Sequence, residues 1–454
     1  MAVRLVIARS LLPVLAGFMP LQAQSQTFGG LEGIGGGIND RVTGYTASAS
    51  VFTEVEHNRV DIDDGTETST DPSLGVSGAL GADLQSGASS LSALYSGSVQ
   101  TRRDSVRGVN RDNSSVTGVS RYSWFAPANR FDFNAGHTVR SVRSDAGFVL
   151  DPAAYDVQNA VHAGAGLRFY PGELTTVRFF TQGARTFEQG DRPDLDSLTA
   201  GSDLTRRLSE RSSASLTATR TWAEEVNSDI TQDSVQLGYR RALEQGLFTV
   251  GAGVSSAEVD FDGQSETTSE AVTGYLSRSW LTPDTSTEIR YDRALTSTAL
   301  ELAVDFPEVE TFEPVTLLIT ELSVEDRLQL RHNTSALCSG CALGGLVGGS
   351  IFESERTGRI RHEYRAAVNL GVQVAPLQRL STGYSWSADA GKDADELLDQ
   401  VHRLSAQWTR SLAENTSVSV LVSHSFTDTS LDQPDRDRTL LRLSLTHGIT
   451  VTGR

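Results

Sequence analysis

Residues 360–375, IRHEYRAAVNLGVQVA, read as two sequences interleaved. The even positions give Ile360, His362, Tyr364, Ala366, Val368, Leu370, Val372 and Val374. The odd positions give Arg361, Glu363, Arg365, Ala367, Asn369, Gly371, Gln373 and Ala375. A period of two sets these on opposite faces of an extended strand. The surroundings must therefore be oily on one side and wet on the other for the whole stretch. A soluble sheet asks this once or twice; here the pattern recurs along the chain. SLGVSGALGADL (73–84) places Leu74, Val76, Leu80, Ala82 and Leu84 together. VQNAVHAGAGLRF (157–169) sets Val157, Val161, Ala163, Ala165, Leu167 and Phe169 against Gln158, His162 and Arg168. SVQLGYRRAL, SVSVLVSHSF and RLSLTHGITV repeat it, and no comparable stretch holds the helical period of 3.6.

The connections alternate in kind. One set is short: APAN (126–129), YPGE (170–173), LSERS (208–212), LEQG (243–246), LTPDT (281–285), APLQ (375–378) and LAENT (412–416). The other is longer and acidic: EHNRVDIDDGTETSTDP (56–72), EQGDRPDLD (188–196), DFDGQSETTSE (260–270), DAGKDADELLD (389–399) and DTSLDQPDRDR (428–438). Short turn followed by long loop makes every strand antiparallel to its neighbours. About twenty segments run from 41–55 to 439–452, or eighteen if a hairpin is lost in the irregular 298–350 region, where 316–332 is predicted as a strand. That leaves roughly 21–22 residues per strand with its connection, room for a tilted spanning strand of about 9–11 residues.

Such strands, polar on one face and with no helices to cover them, close into a cylinder with lipid outside and water inside. Closure also leaves no backbone edge unpaired in hydrocarbon. The expected fold is all-β, a transmembrane antiparallel up-and-down β-barrel spanning 41–454. The competing arrangement is a secreted soluble all-β repeat protein stacked as sandwiches; long strands with one polar face throughout favour the barrel. A hydrophobic content of only 38% suits a wall one residue thick.

The first residues read as an export signal, 1–23. Arg4 supplies the positive start, Leu11 to Leu21 the apolar stretch, and Leu21-Gln22-Ala23 the small-residue cut. Arg9 and Pro13 break the stretch, so it is too short to span a bilayer. No cysteine near the cut marks a lipoprotein. Residues 24–40 are expected to be a flexible glycine-rich periplasmic segment, too short to plug a wide cylinder. An exported chain of this kind is expected in the outer membrane of a Gram-negative bacterium. A net charge of −18 argues against nucleic acid as a partner. Trp124, Phe125, Phe169, Tyr170, Trp280, Tyr384, Trp386 and Trp408 gather near the short turns, as an interfacial girdle requires.

Hairpins such as RFDFNAGHTVRSVR and SLTATRTW, within roughly residues 41–452, make the chain resemble the large outer-membrane β-barrels of Gram-negative bacteria. The resemblance is to the porin-like barrels associated with exopolysaccharide export. It implies a water-filled pore for small hydrophilic solutes or polysaccharide. The partners it implies are outer-membrane lipid, lipopolysaccharide and the barrel-insertion machinery. Such barrels usually end on an aromatic residue that this machinery reads, whereas this chain ends ITVTGR with Arg454 last.

The polar faces carry Arg121, Arg140, Arg168, Arg178, Arg240, Arg290, Arg361 and Arg365, with Glu288, Asp292 and Glu363 nearby. As pore-lining rings these would order water and select anionic or polar solutes. As ordinary lumen residues they would pair across strands. Cys338 and Cys341 form a lone CSGC with no second pair, and a disulfide pinning the turn is the expected state. DIDDGTETSTD (61–71) lacks the sixth-place glycine and final glutamate of a calcium loop, and reads as a solvated acidic loop. Loose divalent-cation binding towards lipopolysaccharide is the alternative use of that acidity. GIGGG and GGLVGG lack the strand–loop–helix setting of a dinucleotide site. His137, His162, His332, His362, His402, His424 and His447 are scattered, mostly at predicted lipid-facing or end positions, and no GxSxG is present. No cofactor, metal or enzymatic activity is expected. Closure of the pore falls to inward-folding loops, with 298–315 the longest. A non-conducting structural or adhesive barrel acting through its acidic extracellular loops is the second reading, and a membrane-embedded hydrolase the third.

Overall fold

The computed structural model describes residues 44–62, 65–104, 109–125, 130–143, 155–188, 195–225, 228–261, 267–296, 322–354, 358–391, 397–429 and 435–452. The first strands are β1 (Gly44–Ile62), β2 (Gly65–Ser86), β3 (Ser89–Asp104), β4 (Val109–Phe125), β5 (Phe131–Arg143), β6 (Tyr155–Gly172) and β7 (Thr175–Glu188). There follow β8 (Leu195–Ser209), β9 (Ser212–Glu225), β10 (Ser228–Leu243), β11 (Gly246–Phe261), β12 (Thr267–Leu281), β13 (Thr285–Thr296) and β14 (Ser323–Thr334). The last are β15 (Cys341–Ser354), β16 (Ile360–Ala375), β17 (Gln378–Ala390), β18 (Leu397–Ala413), β19 (Thr416–Thr429) and β20 (Arg436–Thr452). All twenty form one antiparallel sheet, and β1 pairs with both β2 and β20, so the sheet is closed. The closing ladder runs from Gly44↔Thr452 to Val60↔Arg436.

Directly opposed residues share a face. Leu445 opposes Val51, Val51 opposes Val76, and Val76 opposes Val99. Followed around the barrel, this face carries the exposed apolar side chains, among them Leu237, Val272, Leu328, Val347, Leu404 and Leu443. The other face carries Glu54, Glu56, Asp71, Arg102, Asp132, Thr199, Thr221 and Ser425, buried in the concave wall. The apolar exterior is the lipid-facing surface and the polar face lines the lumen. The chain therefore has the architecture of an outer-membrane barrel.

Short turns such as 87–88, 173–174, 210–211, 244–245, 376–377 and 414–415 lie at one end. Gly87 turns there with a φ of 56°, which a residue without Cβ adopts at little cost. The start of β1 and the end of β20 meet at the same end. In a bacterial barrel the short turns face the periplasm.

The strands outrun the expected segments at the opposite end. The sequence 56–72 is predicted as a long acidic loop, yet β1 continues to Ile62 and β2 begins at Gly65. Two of its acids, Glu56 and Asp71, are satisfied within the sheet rather than by solvent. Glu56 lies directly opposite Asp71, and Arg102 of β3 reaches both, with 4.0 Å to Asp71. Valine, isoleucine and threonine then carry the pleat onward. β14 is described from Ser323, and 316–321 of the expected strand lie outside the described residues.

This group extends across the closing seam. Arg438 of β20 donates to Glu56 at 2.6 Å, and Arg442 pairs with Glu54 directly opposite it. Arg442 also stacks over Phe52, its guanidinium carbon 4.4 Å from the ring centre. Phe52 in turn fills the space above Gly75, where a Cβ would collide with its ring. Two glutamates, each 2% exposed, thus tie β20, β1 and β3 together. Removing one partner of such a buried pair costs about 3–5 kcal/mol. Glu56→Ala is expected to lose stability of that order, read as a lower denaturation temperature of the folded band in gel electrophoresis. Ser77→Ala, a lumen position outside the group, is expected to stay within about 0.5 kcal/mol of the parent.

Candidate functional site

The lumen wall is built mainly from short hydroxyl side chains. Opposed or neighbouring strands exchange hydrogen bonds through Ser90–Ser123 (2.6 Å), Ser98–Ser115 (3.0 Å), Thr199–Thr221 (3.0 Å), Thr249–Ser277 (2.7 Å) and Ser419–Ser444 (2.6 Å). Such pairs stiffen a sheet while presenting a water-like surface. Twenty strands spaced ~4.8 Å apart and tilted by ~40° enclose a ring about 40 Å across, backbone to backbone. Serine, threonine and glycine cannot meet across that distance. Every described element is a strand of this one sheet or a connection beside it.

Register now assigns a level to the charged residues. Arg121, Arg168, Arg178, Arg240 and Arg290 lie on lumen positions near the short-turn ends of β4, β6, β7, β10 and β13. Arg361, Glu363 and Arg365 lie near the opposite end, at the start of β16. Arg140 is on β5, but its side chain lies outside the described residues. The nine candidate lining residues therefore do not form a single ring.

The densest group is at the periplasmic mouth. Arg168 and Arg178 are directly opposed, which would repel. Asp132 of β5 lies between them, accepting from Arg168 Nε at 2.8 Å and from Arg178 Nη2 and Nε at 2.7 and 3.1 Å. The Arg178 guanidinium also lies 3.7 Å from Asp203 of β8, which accepts from Thr217 of β9 at 2.9 Å. One polar chain thus spans β5 to β9. Gly166 of β6 makes it possible, because a Cβ there would come within 2.7 Å of both Arg178 Nε and Asp132 Oδ1.

Towards the opposite end, Arg361 bridges Glu363 at 3.2 Å and Asp389 of β17 at 2.8 Å. Arg327 of β14 pairs with Glu325 at 2.7 Å. Arg290 binds its own neighbour on the face, Asp292, through two bonds of 2.7 and 3.0 Å. Arg240 is exposed to the lumen. Most of these arginines meet an acid, so the wall is a lattice of compensated charge rather than bare positive rings.

Other sequence features fall as follows. Cys338 and Cys341 are joined in the turn between β14 and β15. His137, His332, His362, His402, His424 and His447 sit on the lipid-facing parity, and His162 faces the lumen. Trp386, His402 and Phe426 share one exterior row away from the short turns. That row is a second aromatic level, whereas Trp124, Phe169 and Trp280 stay beside the turns. Among the described residues no group of three His, Cys, Asp or Glu converges on a metal position. Asp132, Asp203, Glu325, Arg327 and Asp389 escaped the sequence reading. The signal they offered was an odd or even position matching the polar face of their own strand.

No protein-family model matches the chain, and no curated protein does. Solved structures with similar shape include the FrpB iron transporter of Neisseria meningitidis in its apoprotein form, at 9% identity and TM-score 0.49, covering 90% of this chain and 81% of that one. The ferric-catecholate import receptor Fiu of Escherichia coli K12 is similar at 11% identity and TM-score 0.44, covering 90% and 82%. OccK11 (OpdR) of Pseudomonas aeruginosa is similar at 11% identity and TM-score 0.37, covering 90% and 96%. Likeness at this level identifies neither a cargo nor a mechanism.

Asp132→Asn is expected to leave Arg168 and Arg178 facing each other without their shared counter-charge. In a conducting barrel the reversal potential in a salt gradient should move towards anions, by about two- to threefold in permeability ratio. An unchanged potential would show that this cluster does not face the permeation path.

Proposed function

We propose that the barrel is a water-filled pore of the Gram-negative outer membrane, passing small hydrophilic solutes or an exported polysaccharide. One observation carries the reading: a twenty-stranded lumen lined by serine, threonine and glycine, whose described side chains cannot fill it. Hydroxyl rows and compensated ion pairs are wetted readily and offer hydrogen bonds to sugars without holding them tightly. The resemblance to exopolysaccharide-associated barrels supports the polysaccharide version. Outer-membrane lipid, lipopolysaccharide and the insertion machinery complete the set of proposed partners, and residues 1–23 the proposed export signal. No catalytic role forms part of the proposal.

A second reading is a structural or adhesive barrel acting through its acidic extracellular connections. The acidity of 260–270 and 428–438 favours it. The two separate in one experiment. The purified protein in planar bilayers is expected to give discrete ohmic conductance steps, and liposomes containing it to swell in small sugars faster than in large ones. A sealed membrane at all voltages, with partner binding abolished by trimming those connections, would replace the pore by the adhesive barrel.

A further inference from the structure

The β12–β13 ladder breaks early, as the β4–β5 ladder does beyond Gly118↔Val139. β12 and β13 pair only from Gly274↔Arg293 to Leu281↔Ser286. Beyond Gly274, β12 continues to Thr267 still paired with β11. β13 continues to Thr296 paired along its length with β14, which stays paired with β15. The two sides of the wall therefore part company towards the long-loop end.

Burial tells where the β13 side goes. Leu295 and Val324 occupy lipid-facing positions, yet they are only 4% and 5% exposed. They pack with Ala257 and Ala271, which belong to the lumen faces of β11 and β12. Leu322, just before β14, packs on that group and also on Ala223, Ile230 and Val259, lumen residues of β9, β10 and β11. Gln232, on the lumen face of β10, donates to the Leu295 carbonyl at 2.9 Å. Two strands, β11 and β12, separate Gln232 from Leu295 in the sheet, so the contact requires the top of β13 to lie across the inside of the wall. Arg293 marks the fork: its Nε donates at 3.1 Å to the Val272 carbonyl, a group left without a β13 partner. Val272 itself is 68% exposed.

We propose that the sheet overlaps itself here, and that the tucked top of β13–β14 is the narrowing element of the pore, able to return to the wall. The proposal rests on the pore reading above. Continuing the register outward from Gly274↔Arg293 would oppose Val272 to Leu295, both lipid-facing. Tucked in, Leu295, Leu322 and Val324 gain apolar burial and the β12 edge loses ladder bonds. Returned, the ladder is remade and the apolar patch on β9–β12 is uncovered. Two packings of one hairpin that trade hydrophobic contact for hydrogen bonds form a bistable element.

Two double-cysteine proteins test this in lipid membranes. Ala257→Cys with Leu295→Cys should cross-link readily under mild oxidation and hold the parent conductance. Val272→Cys with Leu295→Cys should cross-link slowly, and once linked should raise conductance by about twofold, reversed by reductant. The parent treated with the same reagents controls for Cys338–Cys341. Rapid linkage of Val272→Cys with Leu295→Cys and none of the first pair would abolish the overlap. Failure of the second pair ever to link would abolish the return movement, and conductance indifferent to either link would abolish the narrowing role. A parent that never conducts would sink the pore reading, while the linkage rates would still decide whether the wall overlaps.

Discussion

A backbone amide or carbonyl left without a partner in hydrocarbon costs several kcal/mol, and the rest of this molecule follows from that penalty. The penalty forbids a sheet edge within the membrane, so β1 must find β20. Closure then divides every strand into two faces with different solvents. The alternation of IRHEYRAAVNLGVQVA is the record of that division. It also explains a composition too poor in apolar residues for a packed core: only the outer face meets oil.

The lumen obeys a different rule. Its charges are distributed so that arginine meets carboxylate across neighbouring strands, as with Asp132 between Arg168 and Arg178, or Glu56 between Arg102 and Arg438. Pairing keeps these side chains against the wall and leaves the centre of the cylinder to water. At the seam the same chemistry has a structural use, since Glu54 and Glu56 on the first strand are held by arginines of the last. Among the described residues, β13 leaves the wall at its parting from β12, just where edge groups need Arg293 to satisfy them.

Much of this was legible in the chain. Period two gave the strands and their faces, and the alternation of short and long connections gave an antiparallel order of about twenty. The face of Arg361, Glu363 and Arg365 could be read by counting. What could not be read was height and partnership, because both depend on register between strands distant in sequence. The pairing of Arg438 with Glu56 joins residues from opposite ends of the protein. Local composition also misled: acidic 56–72 looked like a solvent loop because the arginines that pair with its Glu56 and Asp71 lie elsewhere. Leu295 and Val324 fall on the lipid-facing parity of their strands, and nothing near them in the chain announces that their outer faces are covered by Ala257 and Ala271.

The division into a lipid face and a water face is best measured on β19, residue by residue. Single cysteines from Ser417 to Ser425 would each carry a spin label in reconstituted membranes, with no other free thiol present. Oxygen should reach the labels at Val418, Val420, Val422 and His424, and a water-soluble nickel chelate those at Ser417, Ser419, Leu421, Ser423 and Ser425. Chelate access that is uniform along the strand, or absent from every position, would contradict a closed wall around water.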